Sequence, residues 1–110
     1  MAYDEDLADR IRELVQGEPN LKEQRMFGGL AFLVGGHMAV AASGQGGLLL
    51  RCDPEAMETL LEQPGAAPME MRGRPMRGWL RVDVEPGGAE LERWVQRGVA
   101  YARSLPPKQA

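Results

Sequence analysis

The chain has 110 residues, of which 44% are hydrophobic and 26% charged, and its net charge is −3. This length and composition are typical of one globular domain, so we expect residues 1–110 to form a single domain whose tail frays from about residue 106. The acidic balance argues against a dedicated nucleic-acid-binding protein, which usually carries a basic surface.

The N-terminus and the cysteine content indicate a cellular compartment. The first six residues are acidic and lack the apolar stretch of a secretory signal. The longest apolar runs are far shorter than the ~20 residues of a membrane span. The single cysteine, Cys52, cannot form an internal disulfide, and this favours a reducing environment. We therefore expect a cytoplasmic protein that makes no use of a membrane.

The first predicted element is an amphipathic helix over residues 4–16. Its apolar residues recur at helical spacing and are Leu7, Ala8, Ile11, Leu14 and Val15. Acidic residues in the first turn suit the helix dipole. Gly17 and Pro19 mark the end of the helix, and a polar link over residues 19–23 follows.

A glycine-punctuated apolar block predicts a β-hairpin with strands at residues 30–34 and 37–42. Gly35-Gly36 suits a type I′ turn, which needs positive φ at both central residues. This turn predicts the cross-strand pairs Val34 with His37, Leu33 with Met38, and Phe32 with Ala39. Both faces of the hairpin are then apolar. Because one layer of helices covers only one face, we expect the other face to meet a partner or a second copy of the chain.

The remaining elements follow from similar signals. Residues 48–52 predict a third strand, and Asp53 with Pro54 predicts a helix start, with the acid at the N-cap. A short strand near residues 69–72 and a turn through residues 73–75 lead to a last strand. The last strand carries Trp79, Leu80, Val82 and Val84. The final helix buries a face made of Leu91, Trp94, Val95, Gly98 and Ala102. The predicted core or interface residues are Phe27, Phe32, Trp94 and Val95.

Two motifs carry a resemblance to a known family. Arg25-Met26-Phe27-Gly28-Gly29 follows the first helix, and Gly73-Arg74-Pro75-Met76-Arg77-Gly78-Trp79 comes later. With the order helix, three strands, helix, two strands, helix, the chain resembles the N-terminal domain of the TfoX/Sxy competence-regulator family over residues 3–105. The resemblance implies a two-layer α+β fold, with helices packed on one antiparallel sheet, similar to secretion chaperones. It also implies a bacterial regulatory or interaction role without known enzymatic chemistry, here in a stand-alone N-terminal domain.

Potentially reactive residues do not form a catalytic or metal-binding set in the sequence. His37 is the only histidine and flanks the Gly-Gly turn, so we interpret it as an exposed turn residue and expect no metal. Cys52 precedes a helix N-terminus, where a thiol pKa can be lowered, but we interpret it as a buried apolar residue. Gly28-Gly29 lacks the pattern of a phosphate-binding loop, and a bulge or sharp bend explains it better. We expect no cofactor.

One stretch is locally basic and also carries an aromatic residue. This candidate binding patch consists of Arg72, Arg74, Arg77, Trp79 and Arg81. It suits a phosphate, a carboxylate-rich partner or single-stranded nucleic acid. The competing interpretation is that the arginines are solvated or paired with acids elsewhere. Strand alternation places Trp79 and Arg81 on one face, and Leu80 and Val82 on the other.

From these features we predict a non-enzymatic regulatory or adaptor domain that binds a protein partner and forms a homodimer. The alternative is a small anionic-ligand binder or an enzyme that uses the arginine-rich segment 72–81. We expect no direct binding to duplex DNA. Duplex affinity depends on neutralising several phosphates, and the net negative charge of the chain opposes approach.

Overall fold

The structure, a computed structural model, describes residues 3–26, 28–84 and 88–106. Its elements are α1 (Glu5–Val15), β1 (Leu21–Met26), β2 (Gly29–Val34), β3 (His37–Ala42), β4 (Leu48–Arg51), a 3-10 turn (Pro54–Ala56), α2 (Met57–Leu61), β5 (Ala66–Met71), β6 (Arg74–Val82) and α3 (Ala89–Ser104). Within these ranges the strands form one antiparallel sheet in the order β1-β2-β3-β4-β6-β5. The predicted core position Phe27 and the predicted fraying of residues 107–110 lie outside the described residues.

The helices pack over one face of the sheet, and this confirms the predicted two-layer α+β fold. Apolar side chains of the helices and of this sheet face share a single core. Phe32, Trp94 and Val95 are 0%, 2% and 1% exposed, which confirms these three predicted core positions. Full burial of a large apolar side chain contributes about 1.5–3 kcal/mol, so a few such residues supply a large part of the stability of a small domain.

The first helix begins and ends where the sequence predicts. The side chain of Asp4 accepts a hydrogen bond from the backbone N–H of Leu7 at 3.2 Å, which satisfies one of the free donors of the first turn. Gly17 follows the helix with φ of 88°, a conformation in which glycine carries no steric penalty. These local signals are sufficient to set both ends of α1.

The sheet has a sixth strand, β1, which includes residues 21–23 of the segment that the sequence indicates as a polar link. Side chains from Lys22 to Arg25 are exposed, so β1 lacks the apolar alternation by which strands are recognised. It pairs with β2 along its whole length, from Leu21 opposite Val34 to Met26 opposite Gly29. The order is therefore helix, four strands, helix, two strands, helix.

The predicted hairpin is confirmed, and the described residues from 30 to 42 contain no helix. Gly35 and Gly36 have φ values of 61° and 86°, as a type I′ turn requires. Val34 pairs with His37 directly across this turn. The local turn chemistry therefore sets the first pairs of the hairpin.

The register changes two residues beyond the turn, at a β-bulge. Phe32 pairs with Val40 and not with Ala39 as predicted, because Ala39 is an extra residue on β3. Gly98 of α3 packs directly on the bulge. A Cβ atom at Gly98 would lie 2.5 Å from the carbonyl oxygen of Ala39 and 2.8 Å from Cγ1 of Val40. The bulge and the glycine together let α3 approach the sheet closely.

The predicted third strand and the helix start after it are present, with small shifts. Strand β4 ends at Arg51, and Cys52 follows it directly. The Asp53 side chain accepts a hydrogen bond from the Glu55 N–H at 3.0 Å, as expected of an N-cap. Pro54 opens the 3-10 turn that leads into α2.

The second hairpin turns earlier than predicted. Arg72 and Gly73 have φ values of 56° and 78° and form the turn, so β6 already begins at Arg74. Gly78, with φ of 87°, bends β6 near the point where its register with β5 is irregular. The segment beyond this bend, residues 70–77, is termed the β-arm below.

The last helix presents the predicted apolar face to the core. All five residues of the predicted face are buried, together with Val99. None of the described helices has the length and apolar character required to cross a membrane.

Two glutamates join elements that are distant in the chain. The carboxylate of Glu18 accepts bonds from Nε and Nη2 of Arg103 at 2.6 and 2.5 Å, which ties the α1–β1 link to the end of α3. Glu23 on β1 accepts a bond from Nε of Arg12 on α1 at 2.7 Å. The hydrogen bond from arginine lowers the pKa of each glutamate.

These two pairs predict a loss of stability in acid. The pKa of each glutamate is lower in the folded state than in the unfolded state, so protons bind preferentially to the unfolded chain. The stabilisation is therefore complete above the ordinary pKa of about 4.3 and is lost as the pH falls through the folded-state value. We expect the Glu18→Gln variant to lose less stability than wild type between about pH 5 and pH 3 in urea unfolding. Parallel pH profiles for the two proteins would contradict this.

Candidate interaction surface

The second face of the sheet carries an apolar cluster to which, in the described ranges, only strand residues contribute. Its buried members are Ala31, Met38, Ala41, Leu49 and Met69. The apolar residues of α1, α2 and α3 belong to the core on the opposite face. This second face is termed the helix-free face.

Half-buried side chains surround the centre of the helix-free face. They are Met26, Leu33 and Trp79. The prediction that both faces of the hairpin are apolar is confirmed, but much of the second face is already buried within one chain. Ala31 is 0% and Leu49 is 6% exposed. The apolar area left for a partner therefore belongs mainly to the three surrounding side chains.

Trp79 also contacts a cation that the sequence does not single out. The guanidinium carbon of Arg51 lies 5.6 Å from the centre of the Trp79 ring and 5.9 Å from the Tyr101 ring of α3. Arg51 and Trp79 are opposite each other on β4 and β6. Such contacts contribute about 0.5–1 kcal/mol at exposed sites, so they hold the indole at the edge of the face.

A cleft of about 430 Å³ opens on the helix-free face between the β3–β4 loop and β5. Its lining is Ser43, Gln45, Leu49, Pro68, Met69, Glu70, Arg72 and Arg81. A more open groove of about 600 Å³ follows the β-arm and is lined by Arg72, Arg74, Pro75 and Met76. Arg72 belongs to both, so the cleft and the groove adjoin at the tip of the β-arm.

Arg81 differs from the rest of the predicted patch because its guanidinium binds the β3–β4 loop. Its Nη2 donates to the carbonyl oxygens of Gln45 and Gly46 at 3.0 and 2.6 Å, and Nη1 donates to Oγ of Ser43 at 3.3 Å. Arg81 is thus a structural residue of this loop. The ion pairs of the described residues do not include it, so a carboxylate does not neutralise its charge there.

The other three arginines of the patch lie on the β-arm. Arg72, Arg74 and Arg77 are exposed, and none of them takes part in an ion pair within the part of the chain that the structure describes. Trp79 and Arg81 share the helix-free face, while Leu80 and Val82 are buried in the core on the other side, as strand alternation predicts.

The described residues of the family motif run from the end of β1 to the start of β2. Arg25 is exposed on β1, and Met26 is half-buried on the helix-free face. Gly28 is in the turn with φ of 75°, and Gly29 begins β2. The positive φ accounts for glycine at position 28, whereas a Cβ atom at Gly29 would clash with the backbone carbonyl oxygen of Ala42 on β3.

The two motifs of the sequence meet at one loop. A Cβ atom at Gly44 would lie 2.5 Å from the carbonyl oxygen of Gly28, so the β1–β2 turn packs directly on the β3–β4 loop. Arg81 holds the same loop through its carbonyl groups. The paired glycines and the arginine-rich segment therefore support the same end of the sheet.

His37 and Cys52 have packing roles. His37 is half-buried and not exposed as predicted, and its Nε2 lies 2.6 Å from the carbonyl oxygen of Pro106. Cys52 is 4% exposed, and burial raises the pKa of its thiol, which disfavours a reactive thiolate. Within the described ranges, His, Cys, Asp and Glu residues do not cluster in a way that could hold a metal ion.

Charge is divided unevenly between the two layers. The first helix and its cap are mainly acidic, with Asp4, Glu5, Asp6, Asp9 and Glu13. From the N-cap of the 3-10 turn to the C-cap of α2, all charged residues are acidic: Asp53, Glu55, Glu58 and Glu62. The third helix has two acids, Glu90 and Glu92, and three arginines, so the negative charge of the helix layer lies in α1 and in the segment 53–62.

The sheet has the opposite balance. Its basic residues, with those of the β5–β6 turn, are Lys22, Arg25, Arg51, Arg72, Arg74, Arg77 and Arg81. Its acidic residues are Glu23, which is paired with Arg12, and Glu70. Although the net charge of the chain is −3, the sheet is basic and the helix layer is acidic.

Sequence reasoning missed several residues of this surface, among them Met26 and Leu33, which pack against the same apolar cluster as Trp79. The alternation of side chains was available as a signal, but it places Met26 only once β1 is known to be a strand. Ser43 and Gln45 join the cleft through the side chain of Arg81, and no local pattern indicates that contact.

Together, the fold and this surface define a small α+β domain with one sheet face under helices and one face free of them. The model of the TfoX N-terminal domain family matches residues 13–102, so the chain belongs to that family and the predicted resemblance is confirmed. The family consists of competence-regulator-like domains of regulatory type. No curated protein and no solved structure gives a significant match to the chain.

Proposed function

We propose that this domain is a cytoplasmic, non-enzymatic adaptor that binds a protein partner through the helix-free face. The observation that carries the proposal is the division of the apolar residues into two clusters, one packed under helices and one built from strands alone. A sheet face with half-buried methionine, leucine and tryptophan at its surface is suited to a protein contact. The regulatory type of the family supports the same function.

The homodimer is a second form of this proposal, in which the partner is another copy of the chain. Sedimentation at high micromolar concentration decides it, because a clean monomer would exclude a stable dimer. The alternative of an anionic-ligand binder or enzyme is not favoured by the family.

Site-specific photo-crosslinking in the native host tests the protein-binding proposal. A photoreactive amino acid at Leu33, on the helix-free face, should give discrete covalent adducts with protein. The same amino acid at Glu92, exposed on α3, is the control and should give none of these adducts. Equal labelling at the two positions, or adducts with nucleic acid only, would contradict the proposal.

A duplex-DNA titration addresses the remaining prediction about partners. At ~150 mM salt we expect no submicromolar binding of random duplex, since few phosphates can be neutralised at once. Submicromolar binding that disappears in an Arg74→Glu/Arg77→Glu variant would replace the adaptor proposal with a nucleic-acid site.

A further inference from the structure

We propose that the partner segment is acidic, and that it lies in the cleft and groove beside the β-arm with its carboxylates toward Arg72, Arg74 and Arg81. This inference rests on the proposed function and names the chemistry of the partner: an acidic stretch of protein that also carries an apolar side chain.

The residues that line the cleft and the groove support an acidic partner segment. Leu49, Pro68 and Met69 give the cleft an apolar floor. Its charged lining residues are one acid, Glu70, and two arginines, Arg72 and Arg81, so its net charge is positive. Such a surface accommodates a leucine-like side chain together with flanking carboxylates. The exposed guanidinium groups of Arg72 and Arg74 are free to bind a carboxylate with two parallel hydrogen bonds, which makes this pairing selective as well as attractive. Arg81, whose Nη2 already donates two bonds to the loop, contributes its positive charge.

The charge of Arg81 is the most specific part of the argument. Its guanidinium donates hydrogen bonds to two carbonyl groups and one hydroxyl, none of which carries negative charge. Within the described residues it has no ion pair, although it lines the cleft. The loop contacts fix the direction of the guanidinium, so the cation is already oriented before an anion arrives.

Electrostatics also favour an acidic protein segment over two other occupants of this surface, a second copy of the chain and nucleic acid. A face-to-face pair of this chain would bring the basic sheets of both copies together, and like charges across an interface are unfavourable. Nucleic acid would be opposed on approach by the net negative charge of the chain. The carboxylates of an acidic protein segment would pair with the arginines, and its apolar side chain would cover the apolar floor of the cleft.

Three matched synthetic peptides test the inference by NMR titration of the labelled domain. Each carries two leucines, flanked by glutamates in the first peptide, by glutamines in the second and by lysines in the third. We expect the glutamate peptide to shift the amide signals of Leu49, Met69 and Arg72, and the lysine peptide to leave them unchanged. Binding of the glutamate peptide should weaken as salt is added.

Two charge-reversed double variants locate the site. Arg72→Glu/Arg74→Glu changes exposed residues of the β-arm and should weaken glutamate-peptide binding by about tenfold or more, because attraction becomes repulsion at two positions. Arg10→Glu/Arg93→Glu makes the same change in net charge on the helix layer and should alter binding by less than about twofold. Circular dichroism checks that both variants remain folded.

The outcomes separate this inference from the proposed function. Equal binding of the glutamate and glutamine peptides at the helix-free face would overturn the acidic partner and leave the adaptor proposal standing. Equal losses in the two double variants, or no glutamate-peptide shifts up to about 1 mM, would also overturn it. Failure of the Leu33 crosslinking would instead remove the adaptor proposal itself.

Discussion

Replacing Gly98 with alanine is expected to destabilise the domain by about 1–3 kcal/mol. At an ordinary position within a helix this change stabilises by about 1 kcal/mol, because alanine is the better helix former. Here the new Cβ atom would lie 2.5 Å from the carbonyl oxygen of Ala39, which is backbone and cannot rotate away. The midpoint of urea unfolding, followed by circular dichroism, measures the loss.

Ala100→Gly is the matched control on the same helix. Ala100 is exposed, so its replacement by glycine should cost about 1 kcal/mol through helix propensity alone. The two variants therefore predict opposite preferences two residues apart, glycine at position 98 and alanine at position 100. A Gly98→Ala protein as stable as wild type would show that α3 does not pack closely on the bulge.

Truncating Trp94 to alanine is expected to cost about 3–5 kcal/mol. The indole is 2% exposed and is among the largest fully buried side chains of the core. A loss of that size is a large share of the roughly 5–15 kcal/mol that stabilises a typical domain. Urea unfolding at neutral pH measures it. Trp94→Phe, which leaves a smaller cavity, gives an intermediate value if the alanine variant does not fold.

Trp79→Ala is the control for this truncation, since it removes the same side chain from the helix-free face. Trp79 is half-buried, so less apolar surface becomes exposed and the loss of stability should be smaller than for Trp94. The proposed function adds a second expectation, that Trp79→Ala reduces crosslinking from Leu33 in a protein that remains folded. Equal destabilisation by the two truncations would contradict the assignment of the tryptophans to different faces.

The candidate surface was only partly predictable. The sequence identifies the arginines of segment 72–81 because they are close together in the chain. It does not distinguish Arg81, which binds the β3–β4 loop, from Arg74, which is exposed on the β-arm. That difference depends on which backbone carbonyls come within reach of a long side chain, and residues far apart in sequence decide it.

By itself, the sequence determined the elements whose signals are local. Helical spacing of apolar residues specified α1 and the buried face of α3, and Gly35-Gly36 specified the first hairpin turn. The family motif around Gly28 was also readable, because its residues are contiguous. In each case the physical cause, a helical period or a positive φ, acts within a few residues.

Only the tertiary structure decided the features that depend on neighbours across the sheet. Strand β1 has four polar residues out of six and becomes a strand through its pairing with β2. The extra residue Ala39 shifts the hairpin register where α3 comes closest, at Gly98. The basic sheet face likewise exists only after folding, because Arg51, Arg25 and the arginines of segment 72–81 come from separate parts of the chain and meet in one sheet.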